Sequence, residues 1–308
     1  MNHPTLKPAR VRVPCSASNL GAGFDCLGLA LRLHLEVEFA PRADGEWRVE
    51  RAGTLAELRT PAADDAVVRA LRDTLAARGV PGGGTLKMRS AIPVARGLGS
   101  SAAATVAGLL LGAASLGETP DRAALLARAT DIEGHPDNAA PALFGGLVGI
   151  ATSGPGAPRA FRLPLADRLR FVYAAPPVEV STAYARSVLP DTVRHNTAVS
   201  ALSRVAALLH GLATADVALL QAGFEDELHV PWRLPLIPGA NTAMQSAREA
   251  GAIAVTISGS GSGLIAVMEP GIEAEVGAAM KAAFEREGQQ PAIAFPLEPD
   301  LAGAVILE

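Results

Sequence analysis

The stretch that constrains the fold most strongly is LALRLHLEVEF, Leu29 to Phe39. From Arg32 onward, charged or histidine side chains alternate with apolar ones. Successive side chains of a β-strand point to opposite faces of its sheet. The alternation therefore predicts a strand with one buried face and one solvated face.

Similar patterns predict further strands, separated by segments with the helical period. In the first half the predicted strands are Val11–Val13, Thr85–Arg89 and Leu147–Ala151. The predicted helices there are one capped by Asp64–Asp65 and ending near Gly79, one at Ala102–Ala114, and one from the cap Thr119–Pro120 to Gly134. In the second half the predicted strands are Leu169–Ala175, Ala252–Ile257, Leu264–Met268 and Pro291–Phe295, and the predicted helices are Thr182–Val188, Asn196–Leu212, Asn241–Glu249 and Ile272–Glu287.

This order of elements predicts an α+β fold of two lobes, each a sheet with helices on one face. The turn-rich segment TSGPGAP, Thr152–Pro158, lies near the change from one lobe to the other. The boundary falls between about residues 152 and 168. We place it after residue 163, which gives lobes of residues 1–163 and 164–308.

Composition narrows the class of function. The 308 residues carry a formal net charge of −4 and no basic run, so a nucleic-acid or anionic-membrane partner has no electrostatic support. The longest apolar run, Ala102–Ala114, is shorter than the roughly 20 residues that span a bilayer, and the N-terminus lacks the apolar core of a signal peptide. Cys15 and Cys26 form no CxxC motif. We expect a cytoplasmic protein without a membrane or nucleic-acid partner.

Three glycine-rich segments each follow a predicted strand: SNLGAGFD (Ser18–Asp25), RGLGSSA (Arg96–Ala102) and SGSGSG (Ser258–Gly263). Glycine permits positive φ and lets a ligand approach the backbone closely. The second segment places two glycines and two serines just before a helix, where free N–H groups and the helix dipole attract anions. This predicts a phosphate cradle, although the lysine of the P-loop pattern is missing. The alternative is an ordinary capped helix.

The segment DIEGHPDNAAP, Asp131–Pro141, gathers polar side chains at the end of a predicted helix. Glu133 lies in the last turn, Gly134 ends the helix, and a histidine, an aspartate and an asparagine follow in one tight turn. Such oxygen ligands suit magnesium, which takes few protein ligands and keeps substrate phosphates and waters. The alternative is a helix stop followed by an Asx turn.

Together these motifs resemble those of the GHMP small-molecule kinases, a superfamily named after galactokinase and the homoserine, mevalonate and phosphomevalonate kinases. The resemblance is strongest to the homoserine kinase branch and covers nearly the whole chain. It is carried, in chain order, by VRVPCSASNLGAGFDCLGLAL, IPVARGLGSSAAA, EGHPDNAAPALFGG, STAYARSVLP, RLPLIPG and TISGSGSGLIAV. It implies an N-terminal lobe like domain 2 of ribosomal protein S5 and a ferredoxin-like C-terminal lobe, with ATP and the substrate in the cleft between them.

The resemblance also implies how ATP and Mg²⁺ bind. Backbone amides of the loop would contact the phosphates, and Ser101 and Glu133 would hold Mg²⁺, with Ser100 as the alternative serine ligand. The implied ATP-binding residues are Pro93, Val94, Ala95, Arg96, Gly97, Leu98, Gly99, Ser100, Ser101, Ala102, Ala103 and, beside the adenine, Asp65. Two of them depart from the family pattern. Asp65 replaces the usual asparagine, and Arg96 stands where small residues are common, so that it either contacts phosphate or is solvated.

The implied substrate, L-homoserine, carries an ammonium group, a carboxylate and a hydroxyl group. Asp25, with Asn19, would bind the ammonium group, and the forked guanidinium groups of Arg186 and Arg233 would bind the carboxylate. The residues implied near the hydroxyl group are His135, Asp137, Asn138 and Thr182. The implied catalytic residues are Glu133, Ser101, Asn138, Asp137 and His135.

The implied reaction is ATP-dependent phosphorylation of L-homoserine to O-phospho-L-homoserine in threonine biosynthesis. Other possibilities are a GHMP enzyme for another small, mevalonate-like alcohol, a diphosphate decarboxylase and a ligand-binding sensor without catalysis. Asp137 would be the base if the chemistry followed the mevalonate kinases. We favour transfer without a dedicated base, because phosphoryl transfer depends mainly on positioning and charge neutralisation. The resemblance also implies a homodimer.

Overall fold

The computed structural model describes residues 5–151 and 158–307. Its strands are β1 (Ala9–Ser18), β2 (Leu27–Pro41), β3 (Trp47–Gly53), β4 (Gly84–Ser90), β5 (Leu147–Ala151), β6 (Arg159–Leu163), β7 (Arg170–Ala175), β8 (Ala254–Ile257), β9 (Leu264–Met268), β10 (Ile293–Leu297) and β11 (Val305–Leu307). Its α-helices are α1 (Ala66–Ala76), α2 (Ser100–Ser115), α3 (Arg122–Glu133), α4 (Ala139–Phe144), α5 (Thr182–Ser187), α6 (His195–Thr214), α7 (Val217–Phe224), α8 (Val230–Arg233), α9 (Ala240–Glu249) and α10 (Glu273–Arg286). Within these ranges no helix combines the length and the apolar character needed to cross a membrane.

The first sheet is built around β2, the strand predicted from its alternating pattern. Its order is β11-β1-β2-β4-β3, and β5 and β6 extend it beside β2. Leu35, Val37 and Phe39 are buried, whereas Arg32 and Glu38 are exposed, as the alternation predicts. On one side, β2 pairs first with β5, through residues 27–29, and then with β4, through residues 35–41. This branching leaves the end of β1 and the start of β2 next to the segment that carries the HPDN turn.

The second sheet has the order β10-β7-β9-β8, with all neighbours antiparallel. Counted within the lobe this is fourth, first, third, second, the ferredoxin-like arrangement that the resemblance implies. Val172 of β7 packs into a core with α9 and α10, whereas Phe171 packs into the core shared with the N-terminal lobe. The prediction that helices cover only one face of each sheet is therefore wrong for this lobe. Helices α6 and α7 place Leu208 and Leu220 against the second face of the sheet.

The chain leaves the first sheet after Leu163 and enters the second at Arg170, and β11 returns to the first sheet. The boundary after residue 163 stays a prediction. The turn predicted at 152–158 falls outside the described residues except for Pro158.

The predicted start of α3 is wrong. The helix begins at Arg122 instead of beside Thr119. Asp121 is the N-cap, because its carboxylate accepts hydrogen bonds from the amides of Ala123 and Ala124.

Candidate active site

The glycine-rich loop after β4 runs into the N-terminus of α2. This helix begins at Ser100, so the predicted start at Ala102 is wrong and both serines lie in the first turn. Gly99 is the N-cap with φ 63°, and Gly97 has φ 77°. The first N–H groups of a helix lack helical acceptors, and the helix dipole adds positive potential there. The loop therefore offers an anion site that needs no lysine.

Neighbouring segments leave no room for a side chain on either glycine. A Cβ atom on Gly97 would lie 2.1 Å from the carbonyl oxygen of Ser258, and one on Gly99 would lie 2.4 Å from Ser16 Oγ. Ser258 also donates from its hydroxyl group to the Gly97 carbonyl at 2.7 Å. The third glycine-rich segment, Ser258–Gly263, therefore packs directly on the phosphate loop.

Three residues of the predicted ATP-binding set have side chains with other roles. Leu98 and Ala103 are buried in the core, so only their backbone can face a ligand. Arg96 is half-buried and donates to the Pro176 carbonyl at 2.6 Å, so it has a structural partner and its phosphate contact stays a prediction.

A cavity of about 410 Å³ opens beside the loop. Polar lining comes from the loop and from Glu133, His135 and Asn138, whereas Leu55 and Met88 contribute to an apolar lining. A nucleotide needs this combination, because its base is flat and largely apolar and its phosphates are charged. The predicted ATP-binding residues that line the cavity are Asp65, Val94, Ala95, Gly97, Gly99, Ser100, Ser101 and Ala102.

Asp65 lines this cavity with both carboxylate oxygens already bonded. Oδ1 accepts from the Val67 amide at 3.0 Å and so caps α1, and Oδ2 accepts from Arg51 Nη2 at 2.7 Å. The Arg51 side chain is 12% exposed and also lines the cavity. A nucleobase bound here would meet an ion pair instead of the neutral amide usual in the family.

Glu133, at the C-terminal end of α3, meets the first turns of α2. Its Oε1 accepts hydrogen bonds from Ser101 Oγ at 3.1 Å and from Thr105 Oγ1 at 2.5 Å. A second cavity of about 430 Å³ is lined by Glu133, Ser101, His135, Thr182 and Arg186. The carboxylate thus faces both the phosphate loop and the predicted substrate residues.

The donors at Glu133 fit magnesium and exclude a typical zinc site. A carboxylate and a hydroxyl group are hard oxygen ligands, and Mg²⁺ needs only one or two from the protein when phosphates supply others. In residues 5–151 and 158–307 no group of three or more His, Cys, Asp or Glu side chains could hold a metal ion. Ser101 and Glu133 therefore suit a magnesium ion that arrives with a nucleotide.

The HPDN turn is fixed by hydrogen bonds to its own residues and to β1. His135 Nδ1 bonds Asp137, which is 1% exposed. Burial alone would raise the pKa of Asp137, but hydrogen bonds with His135 and Ser18 outweigh it and hold this pKa below its usual range. The hydrogen bond with Asp137 raises the pKa of His135. Asn138 accepts from Ser16 Oγ at 2.9 Å and donates to Ser18 Oγ at 2.9 Å.

Asp25, predicted to bind the substrate ammonium group, and Arg186, predicted to bind its carboxylate, form an ion pair with each other. Arg186 donates to both carboxylate oxygens of Asp25, at 3.0 and 2.7 Å. Asn19 accepts from the Asp25 amide at 2.9 Å and donates to the Gly259 carbonyl at 3.0 Å. Asp25 and Asn19 have φ values of 55° and 59°, which Asp and Asn tolerate better than most residues.

Arg233 is 1% exposed and lies at the end of α8. Its guanidinium group donates to the carbonyl oxygens of Ala185, at 3.0 Å, and Gly259, at 3.4 Å. Thr182 Oγ1 lies 3.3 Å from Ser260 Oγ in the neighbouring glycine segment. Three of the predicted substrate residues, Asn19, Arg233 and Thr182, thus meet at Ser258–Gly263.

Sequence reasoning missed several polar residues of the site. Thr105, one helical turn after Ser101, bonds the same carboxylate, and the spacing of four on one helix could have indicated it. Ser16 and Ser18 alternate on β1 and bond Asn138, but nothing in the sequence pairs positions about 120 apart. Arg51 belongs to β3, a strand that was not predicted.

Comparison with known proteins identifies the family of this chain. The descriptions "GHMP kinases N terminal domain" and "GHMP kinases C terminal" match residues 65–146 and 211–286. The homoserine kinase of Moorella thermoacetica is 44% identical over 96% of this chain and 99% of its own, and that of Thermus thermophilus is 40% identical over 91% and 94%.

Solved structures agree with the sequence matches. The crystal structure of homoserine kinase from Cytophaga hutchinsonii aligns with this chain over the full length of both proteins, with a TM-score of 0.87 and 28% identity. The L. major mevalonate kinase in complex with R-mevalonate has a TM-score of 0.71 at 15% identity, which shows a common fold only. The chain therefore belongs to the GHMP kinases and, within them, to the homoserine kinases.

Proposed function

We propose that the protein transfers the γ-phosphoryl group of ATP to the side-chain hydroxyl group of L-homoserine, giving O-phospho-L-homoserine and ADP for threonine biosynthesis. The observation that carries the choice of substrate is the Asp25–Arg186 ion pair beside the phosphate loop. A zwitterionic amino acid brings its own ammonium group for Asp25 and its own carboxylate for Arg186. It can therefore separate this pair and leave both charges compensated.

ATP would occupy the cavity beside the loop, with its phosphates at the N-terminus of α2 and its base among the apolar residues and the Asp65–Arg51 pair. Ser101 and Glu133 would hold Mg²⁺, which, when bound, neutralises charge on the phosphates. Arg233 is held by the carbonyl oxygens of Ala185 and Gly259, so its guanidinium group would fix the direction of the substrate carboxylate. This pre-set geometry supplies the positioning on which phosphoryl transfer mainly depends.

The HPDN turn supports transfer without a dedicated base. Asp137 is buried, its pKa is lowered and its carboxylate is already bonded to His135, so it is a weak proton acceptor for an alcohol. We propose that His135, Asn138 and Thr182 orient the hydroxyl group. A loose transition state needs little removal of the proton before transfer.

The direct test follows ADP release from purified protein with ATP, Mg²⁺ and candidate alcohols. L-homoserine should give the highest kcat/KM, and mevalonate and other small alcohols should give little turnover. If another alcohol is phosphorylated and L-homoserine is not, the substrate assignment is wrong. ADP release without phosphorylated product would point to plain ATP hydrolysis.

Asp25→Asn tests the ammonium contact. Asn tolerates the left-handed backbone at this position, so we expect a folded protein. Loss of the negative charge should raise KM for L-homoserine about 10- to 100-fold, the range of a lost charged hydrogen bond. KM for ATP should stay within about twofold. Asp44→Asn, which removes a carboxylate paired with Arg42 on the exposed surface, is the control. An equal rise in both KM values would contradict the role.

We also propose, from the resemblance, a homodimer, which light scattering of the purified protein would test. A cytoplasmic location is proposed from the sequence, and the unpaired thiols of Cys15 and Cys26 support it.

A further inference from the structure

Phe24 lies next to Asp25 and contacts both arginines of the substrate site. The guanidinium carbon of Arg233 lies 5.0 Å from the centroid of the Phe24 ring, and that of Arg186 lies 6.0 Å from it. The Phe24 side chain is half-buried. The electron-rich face of an aromatic ring attracts a cation within about 6 Å.

The ring has a rigid support on the side of the C-terminal lobe. The imidazole of His229 stacks on it with centroids 4.9 Å apart and an interplanar angle of 21°. His229 is fully buried, its Nε2 donates to the Gly21 carbonyl at 3.2 Å, and its amide donates to Asp226 Oδ2 at 2.7 Å. Burial lowers the pKa of His229, which favours the neutral imidazole.

The buried guanidinium group of Arg233 has few groups that offset its charge besides the Phe24 ring. In the described part of the chain no carboxylate lies within ion-pair distance of its guanidinium group, which bonds only carbonyl oxygens. Burial lowers its pKa, and the nearby charge of Arg186 adds to this effect. An aromatic face offsets part of the charge without an acidic group that would compete with the substrate carboxylate.

We propose that Phe24, seated on His229, is a positioning residue that holds the guanidinium groups of Arg186 and Arg233 in place for the substrate carboxylate. This inference rests on the proposed function, because it takes the carboxylate of an amino acid as the ligand of the two arginines. Phe24 takes no part in the transfer itself. Its contribution belongs to binding of the amino acid and leaves nucleotide binding untouched.

Phe24→Leu removes the ring and keeps an apolar side chain. We expect KM for L-homoserine to rise about tenfold, the scale of a partly buried cation–π contact, while kcat and KM for ATP stay within about twofold. Phe24→Met is a second ring-free variant of closer volume, and Phe24→Tyr, which keeps the aromatic face, should restore the wild-type KM. His229→Gln should raise the same KM, because it removes the stacked support.

Phe39→Leu is the matched control. Phe39 stacks on Trp47 at 6.1 Å in the N-terminal lobe, so this variant loses a ring contact and stability without touching the arginines. It should lower the melting temperature and leave both KM values unchanged. An unchanged KM for L-homoserine in both ring-free variants, a parallel rise in the KM for ATP, or a Tyr variant as impaired as Leu would overturn the positioning role. Failure of the wild-type protein to phosphorylate L-homoserine would instead overturn the proposed function, and the inference with it.

Discussion

Glu133→Gln is expected to lower kcat by about 100- to 1,000-fold, the range found when one group that stabilises transition-state charge is removed. The amide oxygen of Gln can still accept the hydrogen bonds from Ser101 and Thr105, so the ends of α2 and α3 should stay in place. What the variant loses is the negative charge that would bind Mg²⁺. The Mg²⁺ concentration needed for half-maximal rate should therefore rise as kcat falls, which steady-state assays over a range of Mg²⁺ would measure.

Asp131→Asn is the control for Glu133→Gln. Asp131 lies two residues earlier in α3, is 67% exposed and lies 3.5 Å from Arg128. Removing its charge changes the same region of the helix without touching the loop, so kcat and the Mg²⁺ dependence should stay within about twofold of wild type. Turnover of Glu133→Gln within threefold of wild type would exclude Glu133 as a magnesium ligand.

Gly97→Ala should lower kcat/KM for ATP by about 100-fold or more and lower the melting temperature. The added Cβ would lie 2.1 Å from the Ser258 carbonyl oxygen, and the backbone has φ 77°, which strains an alanine. Either the loop or the Ser258–Gly263 segment must move. Because a displacement of about 1 Å can cost about 100-fold in rate, we expect KM for ATP and kcat both to suffer.

Gly79→Ala separates the effect of backbone strain from the effect of the steric clash. Gly79 also has a positive φ, 67°, but no atom lies within 4 Å of its added Cβ. This variant carries backbone strain alone, so it should lose about 1 kcal/mol of stability and keep full activity. If Gly97→Ala retained activity like that of Gly79→Ala, the loop would not be the phosphate site.

The sequence predicted those elements whose signal is local. The alternation in β2 and the exact bounds of β5 and β9 follow from patterns within a few residues. Strand β3 was missed because it lies at the sheet edge, where none of its residues is fully buried and the alternation of apolar and charged residues covers only Trp47–Glu50. The short helix α4 was missed because its six residues, AAPALF, are too few to show a helical period and include a proline.

The site shows a similar division. The phosphate loop and the HPDN turn are contiguous, and their residue types indicate their chemistry. The Asp25–Arg186 pair joins positions 161 apart, and Arg51 reaches Asp65 only because β3 pairs beside β4. Such contacts depend on tertiary packing, which local periodicity does not encode. The resemblance supplied the two arginines but gave no sign that one of them pairs with Asp25.

The segment Ser258–Gly263 has a consequence for how the two substrates bind. Ser258 bonds the phosphate loop, and the Gly259 carbonyl accepts hydrogen bonds from Asn19 and Arg233. A shift of Ser258–Gly263 caused by the nucleotide would therefore reach the amino-acid site through the hydrogen bonds of Asn19 and Arg233. If binding of one ligand shifts Ser258–Gly263, the resulting coupling free energy acts equally in both directions. Whatever factor ATP applies to the affinity for the amino acid, the amino acid applies to the affinity for ATP.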